Sequence, residues 1–528
     1  MEVAGRLTEL VEALVRPGGP GLAVGVYAGG DLLCHAAAGL ASVEFGVPVD
    51  ERTRFDIASM SKQFTAAAAL LLCRDGRLSL GDDIREHLPE LRLDVPVTVD
   101  QCLRHTGGLR EWLALAELTG RPLTRITQGQ ALALVAGLRE VNFAPGTAFS
   151  YSNTGYILVT SIIERITGRT LREFTDERIF GPLGMTATHF RDDSTEPLPR
   201  FAYGYQVSAD GRVRRAETEE CAVGDGMIAT CVADLGPWFG FLHDGRVLGT
   251  DVRDALLVRS GTGEDGLPRP YALGLSHSTI AGRPAIGHAG GAPGYRSQLL
   301  VLPEEGLGVA VLTNNTSIDP GRAGARALRL AAGLPLEDPP VEEHADPAEA
   351  EALSGYWIEP LSGDSFRAEA DGGRLTLSGE EVAGTYVRAA DGAWHGLDEA
   401  AGLWLEPRDG ALVAGRTDFP GRGRAHLPGA APAEGSTLPP AVYLSHETGV
   451  LATITERGTA EVGLSLAEPI EPAPGGGFTA GLLHLRPDGD DLLISAPGAY
   501  RLRFTRQPDG TRPLGLPPGL TRDTPGST

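Results

Sequence analysis

The sequence predicts an α+β domain, one antiparallel sheet flanked by helices, followed by two small all-β antiparallel barrels. Three observations carry that expectation. Strand patterns at 21–38 and 271–313 bracket a mainly helical stretch. Beyond 338 the pattern changes to short alternating segments separated by Gly and Asp turns. A second Pro- and Gly-rich stretch, 428–440, divides those segments into two sets of about 90 residues each, a cadence that suits small barrels. At 528 residues the chain exceeds what one core supports, and the expected divisions are 1–337, 338–432 and 433–528.

Taken in order, residues 1–16 have apolar positions at helical spacing interrupted by acids. Gly21–Tyr27 and Leu32–Ala38 then flank Ala28-Gly-Gly-Asp31, a hairpin signal. An apolar helix follows, with Phe64, Ala67, Ala68, Leu71 and Leu72 on one face and Arg74-Asp-Gly76 as its end. Thr98–Leu103, Gln130–Leu138 and Ile157–Thr167 read as further helices. Strands are expected at Tyr271–His277, Ala285–Gly290, Ser297–Leu302 and Val309–Thr313, then a last helix at Gly321–Ala332. The two early strands can join the later four in a single sheet. The later β segments include Ser365–Ala370, Thr385–Arg388, Val450–Thr455, Leu492–Ser495 and Tyr500–Thr505.

Composition narrows the function classes. A formal net charge of −23 argues against nucleic acid and anionic membrane as partners. The same acidity keeps a protein soluble and suits a substrate with a free amine. Cys34, Cys73, Cys102, Cys221 and Cys231 have neither metal-site spacing nor an even count, which fits a reducing compartment. With acids interrupting the first apolar positions and no long apolar run, the expected location is cytoplasmic.

One short stretch carries chemistry. In Phe55-Asp-Ile-Ala-Ser-Met-Ser-Lys62, Ser59 and Lys62 lie one helical turn apart at the start of the apolar helix. Lys62 is also the only lysine among 46 basic residues, every other one being Arg. A guanidinium stays charged, whereas an amine can take a proton from a hydroxyl, so the exception looks like a base beside a nucleophile. Ser59 at a helix start would also find free N–H groups for a developing oxyanion.

Two further signals follow in chain order: Tyr151-Ser-Asn153 opening a helix, and His288-Ala-Gly-Gly291 on a strand. With Ser59-Met-Ser-Lys62 they resemble the motifs of the penicillin-recognising serine hydrolases, the superfamily of β-lactamases and DD-peptidases. Within it the chain is most similar to bacterial D-aminopeptidases, which join a catalytic domain to two β-barrels and have His in the third motif. Ser61-Lys-Gln-Phe-Thr65, Gly107-Gly-Leu-Arg-Glu-Trp112, Gly224-Asp-Gly226 and Gly287–Arg296 carry that likeness. Gly107 departs from the Ser frequent in the family, and Ser276 stands where the family has Asn.

The resemblance implies an acyl-enzyme mechanism without a cofactor or metal, in which an N-terminal D-residue is released from short peptides or amides. Ser59 would be the nucleophile, with Lys62 and Tyr151 moving its proton and His288 orienting Tyr151. The backbone at Gly290 and Gly291 would supply the oxyanion donor that joins the N–H of Ser59. Asn153 would contact the substrate amide or Lys62, and Asp225 would anchor the substrate ammonium. In the family a loop from the last barrel reaches the active site; its best match is Leu466–Gly477, whose Glu468 or Glu471 would add negative charge. An esterase or amidase on the same scaffold is the first alternative, followed by a β-lactamase or DD-carboxypeptidase and then a non-catalytic binding protein, and the sequence leaves room for a homodimer.

Overall fold

The computed structural model describes residues 2–508 apart from 121–124, 217–219, 263–267, 270, 338–342, 345, 380–381, 401, 417–422, 434 and 464–466. Alternation along the early strands builds the centre of the first domain. Strand β1 (Leu22–Ala28) turns into β2 (Asp31–Ala38), and the chain returns to the same sheet much later. It does so as β3 (Ser276–Ile280), β4 (Arg283–Ala292), β5 (Tyr295–Leu302) and β6 (Leu307–Thr313). The order β3-β4-β5-β6-β1-β2 is antiparallel throughout, so the first and last parts of this domain meet where β1 pairs with β6.

Period-two burial gives the sheet two apolar faces. Leu22, Val24, Val26, Leu300, Leu302 and Val311 pack under the helices α1 (Glu2–Glu12) and Pro320–Ala331. Ala23, Tyr27, Leu299 and Val301 face the other way, into a larger cluster with Phe64, Leu71, Trp238 and Phe239. Burying each large apolar side chain is worth roughly 1.5–3 kcal/mol, so the helix α2 (Lys62–Arg74), buried from Lys62 to Leu72, is a central fixture of the domain. The helix α3 (Asn153–Thr167) packs against it and is buried from Thr154 to Ile163.

The expected strand Tyr271–His277 is shorter in the structure. It begins at Ser276, because Tyr271-Ala-Leu-Gly274 forms a turn closed by a bridge between Tyr271 and Ser276. Gly274 has φ 75° and lies so close to α2 that a Cβ there would stand 2.5 Å from the Gln63 nitrogen. An extended chain could not make that approach.

The eight strands from Gly355 to Gly429 form a closed barrel around Phe366, Leu375, Tyr386, Trp394, Leu405 and Leu412. A nine-stranded sheet follows between Ala441 and Gln507. Its two outermost strands, Glu468–Pro469 and Glu471–Ala473, are joined through Ile470 alone, so the sheet curls until its edges meet. The buried apolar cluster of the first domain continues into this second barrel through Tyr443, Ala452, Ile454 and Phe504, whereas the first barrel has a core of its own. A cavity of about 230 Å³ separates the barrels, between Glu359, Leu361, Pro474, Phe478 and His484. Among the described residues, no helix is long and apolar enough to cross a membrane.

Candidate active site

The chain enters the site along the short strand Phe55–Asp56, which pairs with Ala229–Thr230. It then turns through a 3-10 helix, Ala58–Ser61, before α2 begins at Lys62. Ser59 therefore sits on the turn just ahead of the helix rather than in its first α-helical turn. Just before it, Ala58 has a left-handed φ of 46°, which marks where the chain turns into the helical segment. Such a residue needs support from its surroundings. Asp56 Oδ1 accepts the Ala58 N–H at 2.8 Å, and the Ser297 hydroxyl donates to the Ile57 carbonyl at 2.7 Å.

Lys62 is 0 % exposed, and its Nζ has three oxygen neighbours. Asn153 Oδ1 is at 2.7 Å, Ser59 Oγ is at 3.0 Å, and the third is the Asp225 carbonyl. An amide oxygen and a backbone carbonyl can only accept, so Nζ donates to both. The contact with Ser59 is different, because a hydroxyl can also donate. Run from Oγ to Nζ, it is the proton transfer that turns a serine into a nucleophile. The rings of Tyr151 and Tyr156 lie 5.0 and 5.4 Å from Nζ.

Tyr151 is held on several sides by aromatic neighbours. The His105 ring packs on it with centroids 4.2 Å apart, and His105 Nδ1 accepts the Ser152 N–H at 3.1 Å. The His288 ring is 6.2 Å from the Tyr151 ring. His288 Nδ1 lies 2.5 Å from the Ala289 carbonyl, which can only accept, so Nδ1 carries the proton. Nε2 of the neutral ring is then an acceptor, and the Tyr271 hydroxyl donates to it at 2.9 Å. Tyr271 and His105 were not singled out by spacing. His105 lies just ahead of the Gly107–Trp112 stretch, and nothing along the chain ties Tyr271 to His288.

Strand β4 carries Gly290 and Gly291 past the end of its neighbour. It pairs with β3 only as far as Gly287 but with β5 as far as Ala292, leaving one edge of 288–292 open beside the Ser59 turn. A Cβ on Gly290 would fall 2.2 Å from the Ile57 carbonyl and 2.3 Å from Ser297 Oγ. Glycine is what lets this strand lie against the turn that presents Ser59. Gly291 is exposed, and a Cβ there would meet only the Arg296 side chain, at 3.7 Å.

Three buried carboxyls surround this cluster. Asp225 is 7 % exposed, and its Oδ2 accepts the Trp112 indole N–H at 3.0 Å. Burial raises its pKa, opposed by the charge of Lys62 and by the indole bond. Glu111 Oε2 accepts the Asn153 N–H at 2.6 Å, and Oε1 accepts the Leu113 N–H at 3.3 Å. Burial pushes its carboxyl up to about 7, the nearby Asp225 adds to the rise, and the bond from Asn153 opposes it. Asp56 is raised by burial against the pull of Arg191, whose Nη1 is 3.7 Å from Oδ2. Glu111, which N-caps the helix Trp112–Leu118, lies in the Gly107–Trp112 stretch that carries the family likeness, but nothing along the chain ties it to Asn153.

The structure thus gathers Ser59, Lys62, Tyr151, Asn153, Asp225, His288 and Gly290 around one point. Glu468 and Glu471 stand apart from that cluster, exposed on the two strands that form the seam of the second barrel. Leu466, the start of the segment expected to reach the site, lies outside the described residues. Another turn of the second barrel, Pro497–Gly498, does touch this region, its Gly498 carbonyl accepting from the Glu111 and Asn142 nitrogens, each at 2.9 Å.

Comparison with known proteins agrees with this architecture. The beta-lactamase family matches residues 7–334. A D-aminopeptidase of Cereibacter sphaeroides is 32 % identical over 400 residues, covering 76 % of this chain and 74 % of that one. A D-aminopeptidase of Gluconobacter oxydans is 33 % identical over 370 residues, covering 69 % and 68 %. Among solved structures, the octameric penicillin-binding protein homologue from Pyrococcus abyssi superposes with a TM-score of 0.58 at 22 % identity, covering 81 % of this chain and all of that one. The D-amino acid amidase of Ochrobactrum anthropi gives 0.54 at 24 % identity, over 63 % of this chain and 99 % of that one. With the family matched across residues 7–334 and a D-aminopeptidase relative 32 % identical over 76 % of this chain, the chain belongs to the beta-lactamase family and is a serine hydrolase similar to bacterial D-aminopeptidases.

Proposed function

We propose that this protein is an aminopeptidase that releases an N-terminal D-residue of D-Ala type from short peptides or amides through an acyl-enzyme on Ser59. The observation that carries the reading is the wholly buried Lys62 amine at 3.0 Å from Ser59 Oγ, with its other two contacts on obligate acceptors. D-aminopeptidase relatives support the substrate class.

In the first step Ser59 Oγ gives its proton to the Lys62 and Tyr151 pair and attacks the acyl carbon. The N–H of Ser59 and the open edge of β4 at Gly290 and Gly291 receive the oxyanion. The proton passes through the same pair to the leaving amine, and water then repeats the sequence in reverse to free the acid. His288 keeps the ring cluster in place through Tyr271, and Asn153 holds Nζ. Asp225 is the anchor for the substrate ammonium, a group that an aminopeptidase substrate has at the reacting residue and a carboxypeptidase substrate lacks.

A hydrolysis panel tests this reading: D-Ala and L-Ala p-nitroanilides, a p-nitrophenyl ester and a chromogenic cephalosporin. Fastest turnover is expected for the D-anilide. Preference for the L-anilide, or cleavage of the ester alone, sinks the substrate assignment and leaves an esterase or amidase.

A further inference from the structure

The second barrel and the nucleophile are linked by an unbroken chain of hydrogen bonds. Ala496 and Ala499 pair across the two-residue turn Pro497–Gly498, in which Gly498 has φ 77°, as Pro-Gly turns require at the second position. The Gly498 carbonyl accepts the Glu111 N–H at 2.9 Å. The carboxylate of the same Glu111 accepts the Asn153 N–H at 2.6 Å. Asn153 Oδ1 in turn accepts from Lys62 Nζ at 2.7 Å, and Nζ stands 3.0 Å from Ser59 Oγ.

From these contacts we infer that Glu111 is a positioning residue through which the Pro497–Gly498 turn of the second barrel holds Asn153, and with it Lys62 and Ser59, in reactive register. The inference rests on Ser59 being the nucleophile.

Three features argue for a function in this link beyond attachment. The turn is itself pinned twice to Asn142, through the Asn142 Nδ2 bond to Gly498 at 2.9 Å and the Tyr500 N–H bond to Asn142 Oδ1 at 2.8 Å. The barrel also has a separate anchor, the buried Arg110 guanidinium paired with Glu447, so it does not need Glu111 in order to dock. Finally, Glu111 is a costly choice for a mere spacer, because burial with Asp225 nearby disfavours its charge. A buried carboxylate is repaid when it fixes backbone donors, and one of the two it fixes opens the helix that carries Asn153. The charged groups facing it are Asp225 from the 223–227 loop and Lys62 from α2, while the turn from the barrel carries none.

The test uses the full chain and reads Ser59 directly, as the rate of labelling by a fluorophosphonate probe located by mass spectrometry. A misplacement of about 1 Å can cost on the order of 100-fold in such chemistry, so Glu111→Ala is expected to slow labelling by that order. Glu111→Gln, which keeps one acceptor, is expected to recover most of the loss. Gly498→Val, whose Cβ would press on Glu111 Cβ at 2.7 Å, and Asn142→Ala, which loosens the turn, are expected to slow labelling from a distance. Wild-type rates in Gly498→Val and Asn142→Ala, with native near-UV dichroism, overturn the link even if Glu111→Ala fails to fold. Hydrolysis of D-Ala p-nitroanilide by the wild type is measured alongside. Its absence with Ser59 still labelled defeats the aminopeptidase reading alone, and absence of label on wild-type Ser59 defeats both.

Discussion

The hydroxyl of Tyr271 donates to Nε2 of His288 at 2.9 Å, on the far side of a histidine whose Nδ1 is already committed to the Ala289 carbonyl. These two bonds orient the His288 ring and select its Nδ1–H tautomer. Tyr271→Phe removes that donor while keeping the ring that packs against His105 at 4.6 Å. A neutral hydrogen bond is worth about 1 kcal/mol, so a loss of about fivefold to tenfold in kcat/KM is expected, with the fold unchanged. Steady-state kinetics with the best substrate of the panel checks it. Full activity in the variant would remove Tyr271 from the working site.

Lys62→Arg keeps the charge and removes the proton acceptor. A guanidinium does not release its proton in a protein, and its fork does not fit a fully buried amine pocket closed by Asn153 and the Asp225 carbonyl. The expected loss of acylation matches that of Ser59→Ala, about 1,000-fold or more given what general bases contribute. Single-turnover kinetics makes the comparison, and surviving activity would mean that another group takes the proton.

The two neighbouring glycines are predicted to differ. Gly290→Ala places a methyl against Ile57 and Ser297 at 2.2 and 2.3 Å and must push β4 away from the nucleophile turn. Overpacking of this kind costs about 1–3 kcal/mol, and the displaced edge should cost about 100-fold in turnover. At Gly291 the nearest atom to a new methyl is Arg296 Cδ at 3.7 Å, so Gly291→Ala should fold normally. Thermal melts with kinetics on the pair decide the matter, and equal melting temperatures would contradict the packing argument.

Stability should depend on pH through Glu111 with a definite sign. Its carboxyl is raised from an ordinary value of 4.5 to about 7 in the folded protein, first by burial and then by Asp225. The folded state thus prefers the protonated acid, so the stabilisation is complete below pH 4.5 and is lost as pH rises to about 7. A tenfold change in proton affinity is about 1.4 kcal/mol, which makes the loss about 3 kcal/mol. Urea unfolding of the wild type and of Glu111→Gln at pH 5 and pH 8 should show the gap between them shifting by about 2.5 kcal/mol in favour of the glutamine at pH 8, part of the loss having already occurred at pH 5. A constant gap would show that Glu111 ionises at its ordinary pH in the folded chain.

Local rules carried the sheet and the motifs a long way. The hairpin at Ala28–Asp31, the four later strands and the two faces of β1 follow from turn residues and period-two burial, which are properties of neighbouring residues. The strand at Tyr271 was overextended because its end is set by Gly274 pressing on α2, a contact between segments far apart in sequence. The seam at Ile470 has the same origin: whether a row of β segments closes depends on which edges meet, and alternation is silent about that.

Sequence alone picked out the proposed reacting pair, since Ser59 and Lys62 lie three residues apart and the single lysine is conspicuous in a chain of arginines. It also placed Tyr151, Asn153 and His288 in their order. The tertiary structure decided what holds them. Tyr271 reaches His288 across a sheet edge, Asp56 supports the left-handed Ala58, and Glu111 ties Asn153 to a turn of the second barrel. The physical reason is that two side chains three residues apart on one helical turn are brought together by local geometry, whereas orienting them takes hydrogen bonds from segments that only folding brings together.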